Sequence, residues 1–178
     1  MNLYLAGNSQ YTDIWKYISI NHGKALLSYH YVENEGRPFS KRTIKAMVKA
    51  NNKVTLFLDS GAFSAKTQGV EINIQEYIQF IKTNQSFIGI YANLDVIGDA
   101  DATWKNQQIM EKAGLSPLPC FHYNEDEKWI KMYLEKGYEY IALGGMVGIK
   151  SSQLKQYSMR SEERRGGKEG RSRWAPYD

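Results

Sequence analysis

One cysteine, Cys120, occurs in 178 residues. That excludes an internal disulfide or a multi-cysteine zinc site within this stretch, and core packing is the simplest role for the lone sulfur. Long apolar runs are also missing. None approaches the roughly 20 residues a membrane-spanning helix needs. The start Met1-Asn2-Leu3-Tyr4-Leu5-Ala6-Gly7 has neither the charged opening nor the apolar stretch of a secretory signal. A cytoplasmic protein without a membrane partner is expected. Charge of one sign is scarce: the net charge is +4, and residues 160–178, with six Lys/Arg and four Asp/Glu, account for +2 of it. The +2 left for the rest of the chain is too weak an asymmetry to argue for nucleic acid by itself.

What the chain does have is length for one domain with a real core, an abundance of aromatics including 13 Tyr, and a repeating alternation of strand-like and helix-like segments. Residues 3–6 form a short apolar run ending at Gly7-Asn8-Ser9, and Ile14, Tyr17 and Ile18 follow at helical spacing within 11–20. A second strand is predicted over 25–32, ending in Tyr29-His30-Tyr31. Ser40 then caps a basic helix running to about residue 51. Lys41, Arg42, Lys45, Lys49 and Lys53 read as a solvated basic face, with phosphate contact as the alternative. The third strand covers 54–59, and after a loop through Gly69 a helix opens at Asn73 or Ile74 with Tyr77, Ile78 and Ile81 on one face. A fourth strand covers 88–95, followed by a helix over 100–113 that stops at Gly114. The fifth covers 118–121 and ends at His122, before a helix over 125–135 stopped by Gly137. The sixth covers 140–143 and runs into Gly144-Gly145-Met146-Val147-Gly148.

Six strand-then-helix units imply a parallel α/β sheet with right-handed crossovers. An open doubly wound sheet could stand with six strands, whereas a (β/α)8 barrel needs two further units. The polar residues favour the barrel. Asp59, Asp95, His122 and the Gly144-Gly145 pair fall at the ends of four successive strands, and a barrel gathers successive strand ends around one mouth.

The most informative stretch is Leu56-Phe57-Leu58-Asp59-Ser60-Gly61-Ala62-Phe63-Ser64. A buried strand breaks at an acid followed by Ser and Gly, so the carboxyl stands where α/β folds place their chemistry, although an acid there can also serve as a turn or helix cap. Gly61 permits close backbone approach, and Phe63 can offer a ring face. Asp99 and Asp101 offer carboxylates that compete with Asp95, and Asp101 could cap the next helix.

The third-strand Asp-Ser-Gly-small-aromatic, the Asp ending the fourth strand and the Gly-Gly-x-x-Gly after the sixth resemble the barrel of the tRNA-guanine transglycosylase superfamily. That superfamily includes the queuine and archaeosine tRNA-ribosyltransferases. The resemblance covers most of residues 2 to about 150, and Ser28-Tyr29-His30 is similar to the family's Thr-Tyr-His. Ala62, Phe63 and Ser64 stand where the tRNA enzymes usually have Gly, an aromatic and Gln, which is closer to phage and bacterial DNA-modifying relatives. The resemblance implies a transferase that exchanges guanine for a 7-deazaguanine in nucleic acid, DNA favoured over tRNA. It implies Asp59 as catalytic acid/base, and Phe63, Asp95, His122, Gly144 and Gly145 as base-binding residues. His122 replaces the family's usual Gln. No metal ligand or cofactor is visible, although the family's zinc-binding segment and its eighth-strand nucleophile would both lie beyond the six units present.

The sequence changes character after Lys155. Residues 160–178 have no apolar periodicity and resemble the translation of a sequencing adapter. The expected organisation is therefore a barrel part over 1–159 and a non-native or disordered tail over 160–178, the chain being a fragment without turnover of its own. Three other readings follow from the same residues: a non-catalytic purine- or nucleotide-binding α/β protein, a barrel half completed by a partner subunit, or a sugar-phosphate hydrolase using Asp59 and Asp95 as its carboxylate pair.

Overall fold

The computed structural model describes residues 4–6, 24–32, 55–86, 88–146, 149 and 175–176. The helices expected over 11–20 and 40–51, the basic patch from Lys41 to Lys53 and most of the tail lie outside these residues. The chain divides into two compact units, Met1–Leu118 and Pro119–Asp178.

The first unit carries a four-stranded parallel sheet in sequence order: β1 (Leu5–Ala6), β2 (Lys24–Ser28), β3 (Thr55–Asp59) and β4 (Ile88–Tyr91). Its helical segments are α1 (Tyr29–Val32), α2 (Ala62–Thr67), α3 (Ile74–Thr83) and α4 (Ala100–Lys112). Alternation along the strands sets two faces. Ala25 and Leu27 of β2 and Leu56 and Leu58 of β3 join one core with Tyr77, Ile78, Phe80 and Ile81 of α3 and Met110 of α4. Two successive crossover helices thus pack into a single layer. Phe57 is buried between those core positions, with Tyr4 edge-on at 5.6 Å. β3 is therefore apolar on both sides, as its unbroken hydrophobic run requires.

Asp59 follows the alternation of Phe57, so its side chain stands on the face away from the helix layer. Ser28 is its register partner on β2. Between Leu56 and Phe57 the partner on β4 jumps from Ile88 to Ile90, which leaves Gly89 as the extra residue of a bulge, a position where a missing side chain is useful.

Several element boundaries differ from the sequence expectation: the fifth and sixth strands are displaced by one or two residues, to Cys120–His122 and Ala142–Gly144, and the helix expected from residue 125 starts at Glu127. The second strand stops at Ser28, and residues 29–32 make a helical turn. That turn buries Tyr29, His30 and Val32 together, with Tyr29 4.9 Å from the Tyr77 ring and 5.2 Å from Phe80, whereas an extended strand would alternate them between faces. The expected loop after β3 contains α2. The fourth strand ends at Tyr91, and Ala92 makes a parallel bridge to Leu118.

The start of α3 falls where the sequence places it. Asn73 caps α3, accepting from the Gln75 and Glu76 amides at 2.8 and 3.3 Å. Asp99, rather than Asp101, caps α4 by accepting from Ala102 N at 2.9 Å.

The second unit holds β5 (Cys120–His122), α5 (Glu127–Glu135), β6 (Ala142–Gly144) and β7 (Ala175–Pro176), with the strands parallel in the order β5-β6-β7. Cys120 is buried in β5. The two described residues of the tail pair with Ala142 and Leu143. Among the described residues no helix is long and apolar enough to cross a membrane.

Candidate functional site

β3 delivers Asp59 to the sheet edge, and the next three residues fold back around it. Gly61 N donates to Asp59 Oδ2 at 2.9 Å. Gly61 sits at φ +76°, and a Cβ there would come within 2.3 Å of Ser28 Oγ and 2.6 Å of His30 Cβ. Only glycine fits, because the α1 turn crosses directly over this backbone. His30, buried in that turn, lies 3.2 Å by Nε2 from Gln68 Oε1 at the end of α2.

Ser60 is 1% exposed. Its hydroxyl accepts from Ala62 N at 3.1 Å and donates to Asp95 Oδ1 at 2.6 Å, which ties the exit of β3 to the loop after β4. That loop is held in turn by α4 and by Leu118. Asn93 N donates to Leu118 O at 2.9 Å, Val96 N to Thr103 Oγ1 at 2.9 Å, and the Asn106 amide to Leu94 O at 2.8 Å. Asp95 therefore lies beyond β4 rather than on its last residue, and side-chain clamps from Thr103 and Asn106 add to the backbone bonds that hold its loop.

Burial pushes the Asp59 carboxyl up to about 6, and the nearby charge of Asp95 adds to this, outweighing the amides of Gly61 and Ser60, which act the other way. A carboxyl poised there can release or take a proton close to neutral pH. Phe63, in the first turn of α2, is 48% exposed. Asp59 and Asp95 thus lie together in the first unit, joined through Ser60, and Phe63 follows Asp59 by four residues. Sequence reasoning missed the bridging role of Ser60, whose signal was its place inside Asp-Ser-Gly.

In the second unit His122 is buried at the end of β5. Tyr123 and Asn124 turn the chain back, Asn124 taking the left-handed conformation at φ 69° that Asn tolerates. This returns Glu125 onto His122: Glu125 Oε1 lies 2.8 Å from His122 Nδ1, and Oε2 accepts from His122 N at 2.9 Å. Glu125 was not anticipated, and its only signal was a carboxylate three residues after a strand-end histidine. Gly144 and Gly145 lie against the same histidine. A Cβ on Gly144 would be 2.7 Å from His122 Cδ2, and one on Gly145, at φ +71°, would be 3.2 Å from His122 Cβ. Close packing of the imidazole accounts for the glycine pair without any ligand.

Among the described residues no group of three or more His, Cys, Asp or Glu side chains is placed to hold a metal ion. Comparison with protein-family models, with curated proteins and with solved structures found no match to this chain.

Proposed function

We propose that this chain is the barrel portion of a base-exchanging transglycosylase that replaces guanine by a 7-deazaguanine in nucleic acid, with DNA favoured over tRNA. The observation that carries the reading is the carboxyl pair of Asp59, held up to about 6, and Asp95, joined through Ser60 at the C-terminal end of β3, with the exposed Phe63 four residues after Asp59. Asp59 is the acid/base that serves the departing or entering base. Asp95 accepts from the N1–H and amino group that guanine and 7-deazaguanine share, and Phe63 stacks on the base. The sequential strand order and the single layer formed by α3 and α4 support a partial (β/α)8 barrel over a doubly wound sheet, which reverses strand order and covers both faces. His122, Gly144 and Gly145 keep their base-contact roles in this reading on the sequence resemblance alone. Neither Asp59 nor Asp95 is assigned as the nucleophile.

Base binding is accordingly the direct test. Titration calorimetry should show 7-deazaguanine and guanine binding and adenine binding at least ten-fold more weakly, because adenine offers no N1–H to a carboxylate. Asp95→Asn should weaken guanine binding by about ten-fold or more, since an amide presents a donor where an acceptor is needed. Equal affinity for adenine and guanine would overturn the reading. Because a fragment without turnover exchanges no label, the polymer is decided by binding: a DNA duplex should bind more tightly than tRNA, and the reverse order would shift the reading to tRNA.

A further inference from the structure

In the second unit the turn after β5 brings one carboxylate back onto two nitrogens of the residue that ends the strand. Glu125 N donates to His122 O at 3.1 Å, which closes the turn and aims the Glu125 side chain at His122. Glu125 Oε2 accepts from the His122 amide at 2.9 Å, and Oε1 lies 2.8 Å from Nδ1. A carboxylate only accepts, so one oxygen of Glu125 is committed to the backbone and the other requires a donor on the ring. Nδ1 meets that requirement by carrying a proton. Both side chains are largely buried, at 5% and 10% exposure, so little water competes for either. On the opposite edge of the ring lies Gly144. A Cβ there would come within 2.7 Å of Cδ2 and 3.2 Å of Nε2, and its absence keeps that edge clear of a side chain from residue 144.

We propose that Glu125 is a positioning residue for His122: it keeps the proton of the neutral imidazole on Nδ1, which makes Nε2 the acceptor of the ring. His122 is then matched to a group that brings an N–H or O–H rather than to one that brings a lone pair. A ring turned over about its own axis would set Cδ2 against Oε1 and lose the bond, so the same carboxylate fixes the orientation of the ring as well as its tautomer. The assignment deepens the base-exchange reading and rests on it only for what His122 touches. How His122 is held is a matter of the second unit alone.

The test is ¹⁵N NMR of the whole chain labelled in its three histidines, with no base or nucleic acid present and at a pH where the His122 ring is neutral. Ring nitrogen shifts and couplings distinguish a protonated nitrogen from a bare one. In the unsubstituted chain the Nδ1–H form of His122 should exceed the Nε2–H form by about ten-fold or more. Glu125→Gln keeps the size of the side chain but not its pair of acceptors. An amide satisfies both neighbours by accepting from His122 N through its oxygen and donating to Nδ1 through its NH2 group, so in the variant the proton should move to Nε2 and the preference reverse. A proton on Nε2 in the unsubstituted chain overturns the proposal, whether or not the variant folds. So does a folded Glu125→Gln protein that keeps the proton on Nδ1. The variant should also bind 7-deazaguanine about ten-fold more weakly. An unchanged affinity beside a switched tautomer would remove His122 from the base-binding residues and leave the Glu125 assignment standing.

Discussion

The exits of β3 and β5 solve one geometric problem with opposite chemistry. At each a strand ends in an ionisable residue, the chain turns sharply, and glycine is required because another segment passes too close for a side chain. After β5 the two ionisable groups are complementary: His122 and Glu125 satisfy one another at 2.8 Å, and the glycines accommodate the imidazole. After β3 both groups are carboxyls, and the glycine accommodates Ser28 and the α1 turn. The first arrangement rests in a stable pairing. The second is held in an electrostatically unfavourable state that only the surrounding fold sustains.

The largest effect that tests this contrast is steric. Gly61→Ala should destabilise the protein by about 3 kcal/mol or more, adding a left-handed-backbone cost to overpacking against Ser28 and His30. Gly114, at φ +81° with open space around it, should lose only about 1–2 kcal/mol on the same change. Urea denaturation of the two variants measures the difference, and equal losses would mean that the α1 turn does not press on Gly61.

Next in size is the electrostatic cost. The folded chain holds the Asp59 proton up to about 6, whereas an unfolded chain releases it near the ordinary value of 3.8. The stability this group contributes is therefore full below that value and lost as pH rises through about 6. Asp59→Asn should remove that dependence and stabilise the protein at pH 7.5 by up to about 3 kcal/mol. Thermal melts across pH 4–8 that keep the same slope in the variant would dissolve the contrast.

The smallest effect concerns the β5 exit. Gly144→Ala should cost about 1–3 kcal/mol through contact with the His122 ring, and most of that cost should vanish in a His122→Ala background. Additive losses in the double variant would mean that the glycine answers to something other than the histidine.

Much of the scaffold was visible in the residues. Asn73 announced α3, Gly114 and Gly137 marked where α4 and α5 stop, and the apolar run into Asp59 identified β3 as buried on both sides. Boundaries that depend on distant packing were not visible. Tyr29 and His30 look like strand residues, and only Tyr77 and Phe80, far along the chain, make a helical turn the better way to bury them. Asp59 and Asp95 stood out through the motifs around them, since an acid after a buried strand by itself is as readily a turn or helix cap. Ser60 and Glu125 did not stand out, since a serine or glutamate near a turn has many ordinary explanations and its partner becomes evident only in three dimensions.

The ammonium of Lys66, 2.7 Å from the carbonyl of Ile97, gives the β3 exit a second attachment to the loop after β4, at the far end of α2 from Ser60. A segment tethered at both ends cannot peel away from one side. The amides of residues 60–68 and 93–97 should accordingly exchange with deuterium at a common rate, opening as one cooperative panel, and neutralising Lys66 should let the helix end of that panel exchange first while the Ser60 end stays closed.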